Sequence, residues 1–139
     1  MKADKNTAAE LSAAEKAAAF EAKFGLSMTE ARRLQAATPG LLSGSIENLD
    51  PKTKADKPRL YFFFEAPNAS VFALSAARAA EKDVLGMQKA WYSNCVKWAD
   101  PQILTGGYAD KNQYAVGKFI GSQFEIPDAQ IENFSEALS

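Results

Sequence analysis

Arg59-Leu60-Tyr61-Phe62-Phe63-Phe64-Glu65, bounded by Pro58 and Pro67, decides how this chain is read. Aromatic and β-branched residues favour a pleated backbone, and prolines at both ends stop the pattern from continuing as helix. The run is apolar almost without alternation, so both of its faces must be covered. A single strand has no partner for its backbone groups. The nearest one upstream is the stretch from Leu42 to Leu49, which predicts an antiparallel hairpin, or a slightly larger sheet, with a charged exposed loop ending near Lys57.

Downstream the period changes from two to about 3.6. Asn68 is placed to cap a helix over 69–82 that carries Val71, Phe72 and Leu74. A second helix is expected from Val84 to Val96, with Leu85, Gln88, Trp91, Tyr92 and Cys95 on one broad stripe, ended by Asp100-Pro101. Thr105-Gly106-Gly107 makes a turn. Asp110 is expected to cap a third helix whose buried candidates are Tyr114, Ala115, Val116, Phe119 and Ile120. Pro127 is expected at the first position of a last helix bearing Ile131, Phe134 and Leu138.

Upstream, Ala-rich sequence over 7–24 has helical spacing, with Thr7 and Glu10 in capping-box register and Gly25 as the stop. Ser27 and Glu30 repeat the device for a short helix through Leu34, before Pro39-Gly40. The apolar faces of this pair are thin. The fold class expected is α+β and mainly helical: a small antiparallel hairpin or sheet, a C-terminal helical unit, and an N-terminal helical arm. Residues 1–40 form the arm and 41–139 the α+β core domain.

Composition bounds the function. The 139 residues fit one domain, and 47% hydrophobic with 24% charged residues is a globular balance. A net charge of -1, from 16 basic and 17 acidic residues without a basic stripe, argues against nucleic acid as partner. No run approaches the roughly 20 apolar residues of a membrane span. Charges interrupt the alanines of the N-terminal stretch, so no export signal is expected and the location expected is cytoplasmic.

The chain has no histidine and one cysteine, Cys95, which removes His-dependent triads, multi-cysteine metal sites and intramolecular disulfides. Cys95 lies mid-stripe near a helix C-terminus, where the dipole disfavours a thiolate, so it reads as core. Trp91, Tyr92 and Trp98 with Lys89 and Lys97 have the residue types of a base-stacking surface, but their spacing fits core and rim packing. Tyr61 to Phe64 lacks the glycine and basic elements of an RNA-binding sheet. Asp50 and Asp56 fall in the loop, and Glu81 and Asp83 point to different sides, so no acid/base pair is nominated. Gly106-Gly107 lacks the Lys-Ser/Thr ending of a phosphate loop. No catalytic residue, metal or cofactor is expected, and the chain reads as a binding protein.

Leu60-Tyr-Phe-Phe-Phe-Glu-Ala-Pro67, the helix over 69–82, Tyr92-Ser-Asn94-Cys95-Val96-Lys97-Trp98, then Ala115 through Ile126 and Ala129 to Leu138, follow one another in an order that resembles small phage tail-assembly chaperones and their prophage relatives. The resemblance covers somewhat over half of the chain, and its motifs are short and structural. It implies a non-catalytic factor that binds the long helical tape-measure protein, or another tail protein, in the host cytoplasm while the tail tube polymerises. The residues expected to meet a partner are Tyr61, Phe62, Phe63, Phe64, Phe20 and Phe24. A structural virion component making lattice or tail contacts is the alternative, and self-association is compatible with either.

Overall fold

The computed structural model describes residues 12–124, 129 and 131–138. Helices α1 (Ala13–Phe24) and α2 (Met28–Ala37) are followed by strands β1 (Leu42–Glu47) and β2 (Arg59–Phe64). Then come α3 (Ala69–Ala80), α4 (Val84–Cys95), β3 (Val96–Ala99), α5 (Pro101–Leu104), α6 (Ala109–Gln123) and α7 (Phe134–Leu138). The result is a mainly helical α+β fold around a three-stranded antiparallel sheet of order β1-β2-β3.

The aromatic run is the central strand. β1 pairs with it from Leu42↔Phe64 to Glu47↔Arg59, the expected hairpin. β3 pairs along the other edge through Phe62↔Ala99 and Phe63↔Trp98, with a register irregularity between Phe63 and Phe64. Leu60, Phe62 and Phe64 point into the main core and are 0, 0 and 3% exposed. Tyr61 and Phe63 point the other way, where Phe24 lies 4.9 Å and 5.4 Å from them and Trp98 stacks on Phe63 at 4.9 Å. The continuous apolarity is therefore explained by two covered faces, with the helical arm supplying part of the second cover.

Gly44 sits opposite Phe62 in the sheet. A Cβ there would fall 2.7 Å from Phe62 Cζ and 3.0 Å from Phe119 Cε1, so the missing side chain leaves room for the T-shaped Phe62–Phe119 pair at 5.7 Å. On the helical side, α6 crosses α4 through Gly117, where a Cβ would lie 2.3 Å from the Gln88 carbonyl oxygen. One turn on, Gly121 gives the same clearance to the Trp91 indole. Small residues four apart on α6 thus form the slot that receives α4, and Val116 and Ile120 beside them are fully buried.

Several expected boundaries hold. Ser27 Oγ accepts from the Glu30 N–H, Asn68 Oδ1 accepts from the Val71 N–H, and Gly25 closes α1 at a φ of 74°. The carboxylate of Glu30 bonds Arg33 instead of reaching back to complete the capping box. Ser12 caps α1 by accepting from the Glu15 N–H, while the expected Thr7–Glu10 box lies outside the described residues.

Other expectations are corrected. Val96 to Ala99 leave the helix and form β3, because a central aromatic strand with an open edge offers backbone partners, extended here by Glu65 N–H to Cys95 O and Asp100 N–H to Tyr61 O, both 2.9 Å. Trp98 therefore belongs to the sheet. Tyr108 occupies the N-cap of α6 without a side-chain cap bond, and Asp110 falls in its first turn, where it still complements the helix dipole. The last helix covers only Phe134–Leu138, since the Asn133 side-chain oxygen accepts from the Glu136 N–H and fixes the start there. Pro127 lies outside the described residues.

Candidate protein-binding site

α3, α4 and α6 do not close on one another completely. Between them lies an open groove of about 450 Å³. Phe72, Ala76 and Ala79 of α3 form one wall, Met87 and Trp91 of α4 the floor, and Phe124, just past α6, one end. The small side chains of α3 make it a groove. Ala76 and Ala79 follow Phe72 at spacings of four and three, so beyond the phenyl ring this wall is built from small side chains, with Ser75 beside them. Trp91 is held at the base by an edge-on contact with Phe72, ring centroids 5.3 Å apart, and by the clearance at Gly121.

The lining is mostly apolar, with Ser75, Gln88 and Ser122 as its neutral polar residues. Among the described residues Lys118 is its only charged side chain. Gln88, buried beneath the groove at 7% exposure, has a side-chain oxygen without a hydrogen-bond partner among the described residues. Such an acceptor is costly in a closed core and is relieved by a donor brought from outside. An apolar trough between helices suits large side chains from one face of an amphipathic helix.

The residues expected from sequence to meet a partner fall in two places. Phe62, Phe63 and Phe64 are buried, at 0, 5 and 3% exposure, with Phe62 and Phe64 in the core and Phe63 against Trp98. Tyr61, Phe20 and Phe24 are half-buried and gather on the arm side of the sheet. Phe20 and Phe24 line a second hollow of about 330 Å³ with Met28, Ala31 and Leu42. Lys23 Nζ stands over the Phe24 and Tyr61 rings at 5.0 and 5.5 Å.

A polar junction that the sequence reading missed ties the 48–57 loop to α5 and α6. Asn48, 2% exposed, donates from Nδ2 to Thr53 Oγ1 at 2.9 Å and to the Lys57 carbonyl at 2.8 Å. Thr53 Oγ1 donates to Gln102 Oε1 at 3.1 Å, and Asn112 Nδ2 donates to the Gln102 carbonyl at 3.1 Å. Asp100, 1% exposed, accepts from the Gln102 N–H and lies 2.5 Å from Lys57 Nζ. These bonds are spent on one another, and they anchor a loop that composition alone marks as exposed. The signal available beforehand was Asp100-Pro101, a common helix-opening pair.

Cys95 is fully buried, and burial pushes its thiol up to about 11, with Glu65 adding to the rise and Lys97 opposing it. The sulfur is neutral at physiological pH. Among the described residues no group of three or more His, Cys, Asp or Glu side chains is placed to hold a metal ion, and no helix is long and apolar enough to cross a membrane. The chain matches no protein-family model, no curated protein and no solved structure.

Proposed function

We propose that this chain is a non-catalytic protein-binding factor that receives an apolar helical segment of another protein in the groove between α3, α4 and α6. One observation carries the reading: a trough of about 450 Å³ with Trp91 at its floor and, among the described residues, a single charged side chain in its lining. Its volume and lining suit two or three consecutive anchors of an amphipathic helix, the recognition mode in which i, i+3 and i+7 residues enter a hydrophobic channel.

The more specific role is that of a tail-assembly chaperone acting in the host cytoplasm on a phage tape-measure protein. What supports it is the resemblance of the 60–138 stretch together with the fit between an apolar groove and a long helical client. Co-expression with a phage tape-measure protein tests it. A soluble complex is expected, lost when Ala76 and Ala79 are both changed to Glu. An insoluble partner and no association with the unaltered chain contradict it.

The second reading, a structural virion component, is favoured by the outward-facing Ile131, Phe134 and Leu138, which suit contacts in a lattice. Mass spectrometry of purified particles separates the two, because a chaperone is absent from mature particles and a structural protein is present in many copies.

A further inference from the structure

The arm covers the second face of the sheet and holds on lightly. No residue of α1 or α2 is buried. Among the described residues, no hydrogen bond or salt bridge runs from 12–37 to the core domain, and those of Ser12, Ser27, Glu30 and Arg33 all close within the arm. One ring does most of the seating. Phe24 lies 4.9 Å from Tyr61 and 5.4 Å from Phe63, both edge-on, and Lys23 Nζ adds a contact with the Tyr61 ring at 5.5 Å. Phe20 backs Phe24 at 4.5 Å. Beside them an open hollow of about 330 Å³ separates Met28 and Ala31 of α2 from Leu42 and Phe63. Protein interiors leave few voids larger than a water molecule, so a hollow of that size marks a cover that is not packed down.

The joint to the core is equally free. Gly40, between α2 and β1, has a φ of 84°, and a Cβ built there would meet nothing within 4 Å. Glycine takes that conformation at no steric cost, and with no neighbour packed on it the backbone can turn without breaking a contact. The bond that spans it, from the Leu41 N–H to the Thr38 carbonyl, is 3.2 Å long. The face beneath is fixed by comparison. Tyr61 and Phe63 belong to the central strand, paired on both sides, and Phe63 is 5% exposed with Trp98 stacked on it at 4.9 Å.

We propose that residues 12–40 are a hinged lid, latched by Phe24, which swings about Gly40 and uncovers an aromatic face made of Tyr61, Phe63 and Trp98. Closed, the chain hides that face from water; open, it presents a second apolar surface. Local openings that break only a few contacts are populated at roughly 0.1–10%. The groove belongs to the other face of the sheet, where Phe64 meets Phe124 at the groove's end, so the lid is independent of what the groove binds.

NMR of the full chain and of its Phe24→Ser variant tests this, with anilinonaphthalenesulfonate as the probe of uncovered apolar surface. In the unaltered chain the Phe24 ring is expected to contact the Tyr61 and Phe63 rings. Relaxation dispersion is expected to report microsecond-to-millisecond exchange at Phe24, Tyr61, Phe63 and Trp98, with Val116 and Ile120 quiet. In the variant Tyr61, Phe63 and Trp98 move to the shifts of the minor state, Val116 and Ile120 keep theirs, and dye fluorescence rises several-fold. A single-state arm in the unaltered chain, with the amides of α1 as slow to exchange with solvent as those of β2, overturns the proposal. So does a variant whose arm stays seated and whose dye binding is unchanged. Loss of the Val116 and Ile120 signals together with the arm's also overturns it, because the arm is then part of the core.

Discussion

Trp91 stands edge-on to Phe72, with ring centroids 5.3 Å apart and planes at 86°. The indole is 7% exposed, so it belongs to the core cluster even though it forms the groove floor. Core and candidate site share a residue. Trp91→Ala is expected to cost about 3–5 kcal/mol, which confounds any binding assay. Ala79 on the wall is exposed, and Ala79→Glu is expected to change stability by less than about 0.5 kcal/mol while abolishing partner capture. Urea denaturation beside a pull-down reads both.

The α4–α6 crossing depends on Gly117. Since a Cβ there would lie 2.3 Å from a backbone oxygen, which cannot rotate away, Gly117→Ala must separate the helices. A loss of about 2–3 kcal/mol is expected in urea denaturation. A neutral result would mean that the helices pack less closely than described.

Lys57 and Asp100 are unequally buried, their side chains 34% and 1% exposed. Lys57→Met leaves a carboxylate without its counter-charge in the interior and is expected to cost roughly 3 kcal/mol. Asp100→Asn keeps an acceptor for the Gln102 N–H and leaves an ammonium that can turn to water, so the expected cost is roughly 1 kcal/mol. Equal losses in thermal or urea denaturation would contradict the asymmetry.

Lys82 has a φ of 59°, a left-handed conformation, between α3 and α4. Its N–H donates to the Ala79 carbonyl, and the Asp83 N–H donates to that of Arg78, so the turn is locked by its own hydrogen bonds. Lys82→Gly removes the Cβ strain and is expected to stabilise by up to about 1 kcal/mol, seen as a raised thermal midpoint.

The Cys95 thiol is raised from an ordinary value of 9.0 to about 11 in the folded chain. Above pH 9 the unfolded chain releases this proton while the folded chain keeps it. The stabilisation is therefore complete below pH 9 and is lost as pH rises toward 11, and Tyr92, also raised by burial, acts in the same direction. Cys95→Ala is expected to flatten part of the alkaline slope of stability in denaturation curves taken across this range. The folded chain should react with thiol reagents far more slowly than the denatured one.

Much of the fold was legible because local signals agreed with tertiary need. Tyr61 to Phe64 announced a strand covered on both faces, and Ser27, Gly25 and Asn68 placed helix ends by their own hydrogen bonds or backbone freedom. β3 was not legible, since Val96 to Ala99 continue the helical stripe of α4 and become a strand only because β2 offers an open edge. The groove was hidden for a related reason. Trp91 at helical spacing reads as core, which it is, and nothing local says that Ala76 and Ala79 leave its cover incomplete. The polar junction depends on pairs some fifty residues apart, such as Thr53 with Gln102. The aromatic residues first expected to bind were conspicuous for the same property that buries them.

Hydrogen exchange on the chain mixed with a phage tape-measure protein, compared with the free chain, tests the proposed binding most directly. Protection gained along Phe72–Ala80 and Met87–Trp91 is the expected result. Protection confined to α1, α2 or the free edge of β1, with the groove unchanged, would contradict it.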